Sequence, residues 1–470
     1  MSRGRPLALA LLALAALAPP LRAQGERCFL LVNFVGDTGR RIQSPDGVNY
    51  FAGGGVRLSC RGTQITMESD SVAAYGGNRV DFVGRVKYRD STLTLDAERG
   101  TYYRDGERFE ARGKVRTRNT RSGSTLEGPS LDYFRAVRGV RDSSEVYAIG
   151  RPLIRYRDTS PDSATGRAAE PYVIVGDRVR LRGDDRLWSG GNVTVDRSDF
   201  HAEGDSLRLD TGAANDGTLI GKALLKGAEA DSFAVTGARV DFTLQRREVT
   251  RVKAQGEGEA KSRGRTVQGD TVLIELERRR AVRTASWGTS RRGSANADGY
   301  DVLGDSVVME TPGQVLREVR AYRAAWVGTA KDSATGERDW IAGDSVLAVF
   351  RRRPGGDSAR VALDRLDARG AAKTFYRSKP KARRGDDSTA ATAKPPSLSY
   401  ARGREIRLRM TQPDTGEAAV EKVEIRGQVE GVQLEPGRAD SARARGVLPA
   451  GGAQPALPTG TLAPGGRPPR

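Results

Sequence analysis

The sequence predicts an all-β protein built from stacked repeats of about 30 residues. Three observations carry this: apolar residues recur in steps of two, turn formers punctuate the steps, and one short signature returns at nearly even spacing. A strand sends successive side chains to opposite faces. Val56-Arg57-Leu58, Val86-Lys87-Tyr88, Val193-Thr194-Val195, Leu207-Arg208-Leu209, Val240 to Leu244 and Ile406 to Met410 all alternate in this way. Tyr75-Gly76-Gly77-Asn78, Arg89-Asp90-Ser91 and Arg104-Asp105-Gly106-Glu107 supply turns between them. No segment shows a helical apolar stripe with matching caps.

Residues 1–23 read as a signal peptide. Arg3 and Arg5 precede an apolar run from Leu7 to Ala18 made only of Leu and Ala, and Leu21-Arg22-Ala23 resembles a cleavage region. The run is shorter than the roughly 20 residues of a spanning helix, so export is expected. Cleavage removes three arginines from a chain of formal charge +19 and leaves a basic protein. Cys28 and Cys60, the only cysteines, could then pair in an oxidising compartment or remain two buried thiols.

The repeat signature is Gly-Asp-small-apolar, opening a strand. It appears at Gly204-Asp205-Ser206-Leu207, Gly269-Asp270-Thr271-Val272, Gly304-Asp305-Ser306-Val307 and Gly343-Asp344-Ser345-Val346, with looser copies at Gly176 and Gly237. A second element, two apolar residues and then Gly, falls between them at Val249 to Gly256, Leu363 to Gly370 and Val420 to Gly427. The expected role of the Gly is to relieve a crowded or positive-φ position, and that of the Asp to bond to nearby backbone. One such unit cannot bury its apolar face alone; stacked units can.

Large apolar residues occupy one phase of the signature strands: Val179, Leu181, Leu207, Leu209, Phe242, Leu244, Ile274, Leu276, Val307, Met309, Val346 and Phe350. Val56, Leu58, Val86, Leu95, Val115, Val193, Ile406 and Leu408 do the same elsewhere. In register they form a stripe that is either a closed core or an open groove able to take acyl chains. Alternation cannot separate the two. Arg135, Arg155 and Arg157, interleaved with Tyr and Phe, are candidate contacts for a phosphate-bearing head group; the other reading is that they solvate outer faces.

Organisation follows: a β domain over 24–157, an exposed loop at 158–171, continued repeats over 172–376, a flexible linker at 377–397, a terminal β repeat over 398–435 and a Gly/Pro/Arg tail over 436–470. Asp162 to Gly166 recurs as Asp332 to Gly336, in a second exposed loop. Chemistry is not expected. His201 is the sole histidine and has no cysteine neighbour, which excludes a His-based metal site. Gly217 to Lys222 is one residue short of a phosphate loop and is followed by Ala223. Gly53-Gly54-Gly55 opens no helix and is no dinucleotide fingerprint. No carboxylate pair stands out, so no enzyme, cofactor or metal is expected. Positive charge is spread among Asp and Glu, which speaks against nucleic acid.

Tyr50 to Leu58, Ile65 to Val72, Val80 to Val86, Leu95 to Tyr103 and Phe109 to Val115 resemble the OstA-like family of lipopolysaccharide-transport proteins, LptA and the amino-terminal domain of LptD among them. The rhythm is Gly-x-Val on one strand and Asp-x-apolar on another, and it continues loosely from Gly176 to Gly427. The resemblance implies an open antiparallel β-jellyroll, or β-taco, whose two sheets hold acyl chains. It implies a periplasmic protein, soluble or peripheral to the outer membrane, that binds lipopolysaccharide or a related acylated lipid and bridges inner- and outer-membrane transport proteins, with end-to-end self-association. The chain departs from the family in being over twice the length of the usual bridge protein and in lacking a barrel domain and a membrane anchor. The competing expectation is a structural or adhesive exported β-repeat protein with a closed core and no lipid.

Overall fold

The structure, a computed structural model, describes residues 28–435 apart from 38, 46, 158–169, 229–232, 246–247, 330–336, 353–360, 379–395 and 412–419. The expected leader, the carboxy-terminal tail, and most of the loop at 158–171 and of the linker at 377–397 lie outside the described residues. Among the described residues, regular structure is β throughout, save one 3₁₀ turn at Pro312–Gln314. Every ladder pairing is antiparallel, from Leu30–Val35 at one end to Glu430–Leu434 at the other. No described helix is long and apolar enough to cross a membrane.

Most strands are bent at a crease in their middle, so the ladder folds into two facing leaves. Arg79–Arg89 is typical. Val83 pairs with Arg99 and Val86 with Ala97, so Gly84 and Arg85 together oppose the single residue Glu98. Two residues against one is a β-bulge, which bends a strand and increases its twist. The pattern recurs where Gly191 and Asn192 face Asp205, where Gly256 and Glu257 face Asp270, and where Gly370 and Ala371 face Arg404. The leaf holding Cys60 is called the front leaf, the other the back leaf.

The two sequence signatures are the two sides of this crease. In the second signature Gly256, Gly370 and Gly427 have φ of 72°, 73° and 70°. Gly370 lies so close to the neighbouring rung that a Cβ would stand 2.0 Å from Asp344 Oδ2. In the Gly-Asp signature the Gly is not at positive φ. It is crowded by backbone: a Cβ on Gly343 would lie 2.9 Å from the Arg369 carbonyl oxygen. The crease Asp then reaches sideways. Asp70 meets Arg85 at 2.6 Å, Asp305 meets Arg292 at 3.1 Å, and Asp270 accepts the backbone N–H groups of Thr289, Ser290 and Arg291.

The leaves enclose two apolar cores, one running from Cys28 to Ala281 and one from Val267 to Leu408. Rings meet across the leaves: Tyr88 of the front leaf packs on Phe109 of the back leaf at 4.8 Å, and Phe200 on Phe242 at 6.4 Å.

The open jellyroll expected from the resemblance is overturned by two features. First, the ladder closes on itself. Thr125–Phe134 pairs with both Glu145–Ile149 and Leu153–Tyr156; these pair with Arg178–Arg182 and Tyr172–Val175, and both of those pair with Arg186–Arg197. The result is a closed, barrel-like circuit of six strands within the extended sheet. A second circuit closes between Arg265–Glu277 and Glu318–Thr329. Second, the edge opposite the crease is stitched shut, as described next.

Candidate functional site

The residues expected to line a lipid groove are brought together, but as packed core. Val56, Leu58, Val86, Leu95, Val115, Val179, Val193, Leu207, Leu209, Phe242, Leu244, Ile274 and Leu276 are all buried in the first core, with Leu181 partly buried against it. Val307, Met309, Val346, Phe350, Ile406 and Leu408 are buried in the second.

The seam opposite the crease is closed by polar bridges between leaves. Tyr133, on the back leaf, donates its hydroxyl to Asp90 Oδ2 at 2.7 Å in a front-leaf turn, and lies 2.9 Å from Thr92 Oγ1. Tyr88 donates to the same carboxylate at 3.0 Å. Tyr156, on the front leaf, donates to the Asp184 carbonyl at 2.8 Å and meets Thr211 Oγ1 at 2.9 Å. Cys28 and Cys60 form a disulfide. It holds the Cys28 N–H against Glu107, which also accepts from Tyr102 and binds Arg135 at 3.0 Å. Burial, and then the neighbouring carboxylates, push the hydroxyls of Tyr88, Tyr102 and Tyr133 above the usual range. They therefore stay protonated, as donors must. A gap at this seam, lined by Thr92, Tyr133, Tyr156 and Asp184, amounts to about 40 Å³.

The three candidate head-group arginines are not brought together. Arg135 belongs to the seam, its side chain 19% exposed beside Glu107. Arg155 points outward on the front leaf, opposite Thr125. The backbone N–H of Arg157 is held by Ser124 Oγ. The near-phosphate loop Gly217 to Lys222 lies within the strand Asp216–Gly227, with Gly221 and Lys222 at the crease. His201 sits on the outer front face between Asp196 and Glu203, at 2.6 and 2.7 Å. Among the described residues no group of His, Cys, Asp and Glu is arranged to hold a metal.

The outer faces differ. The front leaf carries a charge-balanced row across six neighbouring strands, Arg57, Glu68, Lys87, Asp96, Arg116 and Glu127, each opposite the next. Opposite charges across a ladder stabilise each other by about 0.2–1 kcal/mol per pair. The back leaf carries a hollow of about 600 Å³ instead. Register assembles it from two adjacent rows. One runs Tyr147, Arg180, Trp188, Arg208, Thr218; the other runs Ile149, Arg178, Gly190, Ser206, Ile220, Arg239.

Four arginines and no carboxylate line this hollow. Arg180 lies between two rings, 5.3 Å from Tyr147 and 5.2 Å from Trp188. Its Nη2 meets Glu145 at 3.1 Å, while its Nε is buried without an acceptor. Arg208 and Arg239 each have a carboxylate outside the hollow, Asp216 at 2.7 Å and Asp241 at 2.8 Å. Arg178 is exposed and lies over Gly190, where a Cβ would stand 3.1 Å from its Nε. Ile149 and Ile220, 62% and 47% exposed, flank it. Sequence reasoning missed this site. Its residues occupy the polar phase of six separate strands, and only the register sets them side by side.

No protein-family model matches the chain, and no characterised protein matches it at a significant level. The likeness to the OstA-like family is therefore without support, and the sealed interior takes away the slot on which the transport reading depended. A bridge that carries lipopolysaccharide or another acylated lipid, with inner- and outer-membrane transport partners and end-to-end copies of itself, is set aside with it.

Proposed function

We propose that this chain is an exported structural or adhesive β-repeat protein, without chemistry of its own, that works through its outer surfaces. One observation carries the reading: the alternating apolar residues of both leaves are consumed by each other in continuous cores beneath a hydrogen-bonded seam. A dry interior leaves the leaves' outward faces as the place for partners. The basic, apolar amino-terminal segment and the Cys28–Cys60 disulfide support export to an oxidising compartment.

Mass spectrometry of the full chain, purified without detergent, tests this. The expected spectrum is that of the protein alone. Acylated lipid retained at a constant ratio to protein, and lost on replacing Leu95 or Phe242 with Asp, would show that the core opens to ligand.

A further inference from the structure

From the hollow on the back leaf we infer a binding site for an acidic polysaccharide, one bearing carboxylate or sulfate groups along its length. The inference rests on the reading that the protein acts through its outer surfaces, and it names the partner.

Charge is the first argument. The hollow concentrates Arg178, Arg180, Arg208 and Arg239 and excludes every acidic side chain from its lining. The carboxylates that partner three of these arginines sit on its rim, each leaving other guanidinium N–H groups unused. A guanidinium presents five donors in a planar fork that matches a carboxylate or sulfate. The contrast with the front leaf matters here: in its row from Arg57 to Glu127 each cation faces an anion on the next strand.

Shape is the second argument. The hollow lies on the face of the ladder, across interior strands whose backbone groups are already paired on both sides. A peptide strand docks by adding to a sheet edge, and no edge is offered here. Recognition must run through side chains alone. Tyr147, Trp188, Ile149 and Ile220 supply apolar surface for the C–H faces of sugar rings, and Ser206 supplies a hydroxyl. The arginines fall on alternate strands: Arg178 and Arg180 share one strand, Arg208 is two strands on, and Arg239 two beyond that. With strands about 4.8 Å apart, cations recur about every 9.6 Å. A chain with anions at a regular spacing can meet them in succession.

The test uses the full chain and four probes: oligogalacturonate for carboxylate, dextran sulfate for sulfate, neutral dextran, and poly-L-glutamate for an acidic peptide. Binding is measured by calorimetry at low ionic strength. Arg178→Ala with Arg239→Ala alters two exposed residues. Arg118→Ala with Arg155→Ala removes the same charge from the outer front leaf. The expected result is binding of one or both acidic polysaccharides, weakened about tenfold or more by the back-leaf pair and within about twofold of the parent for the front-leaf pair. Which of the two polysaccharides binds identifies the anion. Equal loss in both variants would reduce the effect to overall charge and overturn the site. Poly-L-glutamate binding with the same dependence would give the hollow to a peptide, and no acidic polysaccharide binding would end the inference. None of these results alters the lipid measurement above, so the two readings fail separately.

Discussion

The first core and the second fill the same two-leaf frame with different material. The largest fully buried side chains, among them Tyr88, Tyr102, Tyr133, Phe82 and Phe109, all lie in the first. Two rings of this core are seated over glycines: a Cβ on Gly100 would lie 2.5 Å from Phe109 Cζ, and one on Gly217 would lie 2.0 Å from Phe242 Cζ. The second core is lined by Ala295, Ala297, Ala321, Ala325, Ala348, Ala368 and Ala372, all buried, with Phe350 as its large ring. Rings set over glycines in one place and aliphatic side chains set among alanines in the other can both reach native packing density. Crease and register are therefore independent of how the interior volume is shared out. A repeat can be kept while its core is rewritten.

This contrast predicts that each core is damaged by the opposite kind of substitution. Phe109→Ala removes a ring that touches both Phe82 and Tyr88 and should cost about 3–5 kcal/mol. Ala348→Leu, in the second core, should destabilise by about 1–3 kcal/mol through overpacking. Chemical denaturation, with hydrogen exchange to assign the loss to one core, measures both. A stabilising Ala348→Leu would mean that the second core holds a void, and the comparison would fail.

The seam sharpens the comparison at a smaller scale. In the first region tyrosine hydroxyls close it; in the second, Arg265, 6% exposed, donates to the Gln314 carbonyl and to Asp298. Tyr133→Phe keeps the ring and removes only the donor to Asp90. The expected loss is about 1–2 kcal/mol, with faster exchange of the turn amides at Thr92 and Leu93 that Asp90 also holds. Unchanged exchange at those amides would show that Tyr88 suffices and that the seam is redundant there.

Much of this architecture is legible in the sequence. Alternation at Leu207 and Leu209, or at Ile406 and Leu408, announces strands with one buried face, and the spaced Gly-Asp signature announces a repeat. What is not legible is whether the leaves close. The inward residues of a groove and of a core are the same residues, and the decision falls to pairs such as Tyr133 and Asp90, 43 residues apart. No local rule marks these. The family resemblance supplied an open slot that the composition itself left undecided, and Tyr, Asp and Thr at the strand ends shut it. The hollow is illegible for a related reason: Tyr147, Arg180, Trp188 and Arg208 read as ordinary solvated positions until the register aligns them.

The smallest expected effect uses the one histidine as a reporter confined to the first region. His201 is opposite Asp196 on one neighbouring strand and opposite Lys226 on the other, with Glu203 two residues along its own strand. Burial pushes its pKa down, but hydrogen bonds from its ring to Asp196 and Glu203 outweigh that, and the net shift is upward from the usual 6.5. A group whose pKa is raised by folding binds its proton more tightly in the folded state. Its contribution is therefore complete below 6.5 and disappears as pH climbs through the raised folded value. The unfolding midpoint should fall slightly across that window, by the equivalent of about 0.5 kcal/mol, and His201→Gln should flatten the dependence. Hydrogen-exchange protection in the second region, which has no histidine, taken relative to the intrinsic exchange rate at each pH, should not change over the same interval. If it changes in parallel, the two cores unfold as one unit, and their different fillings are a difference of packing without a difference of cooperativity.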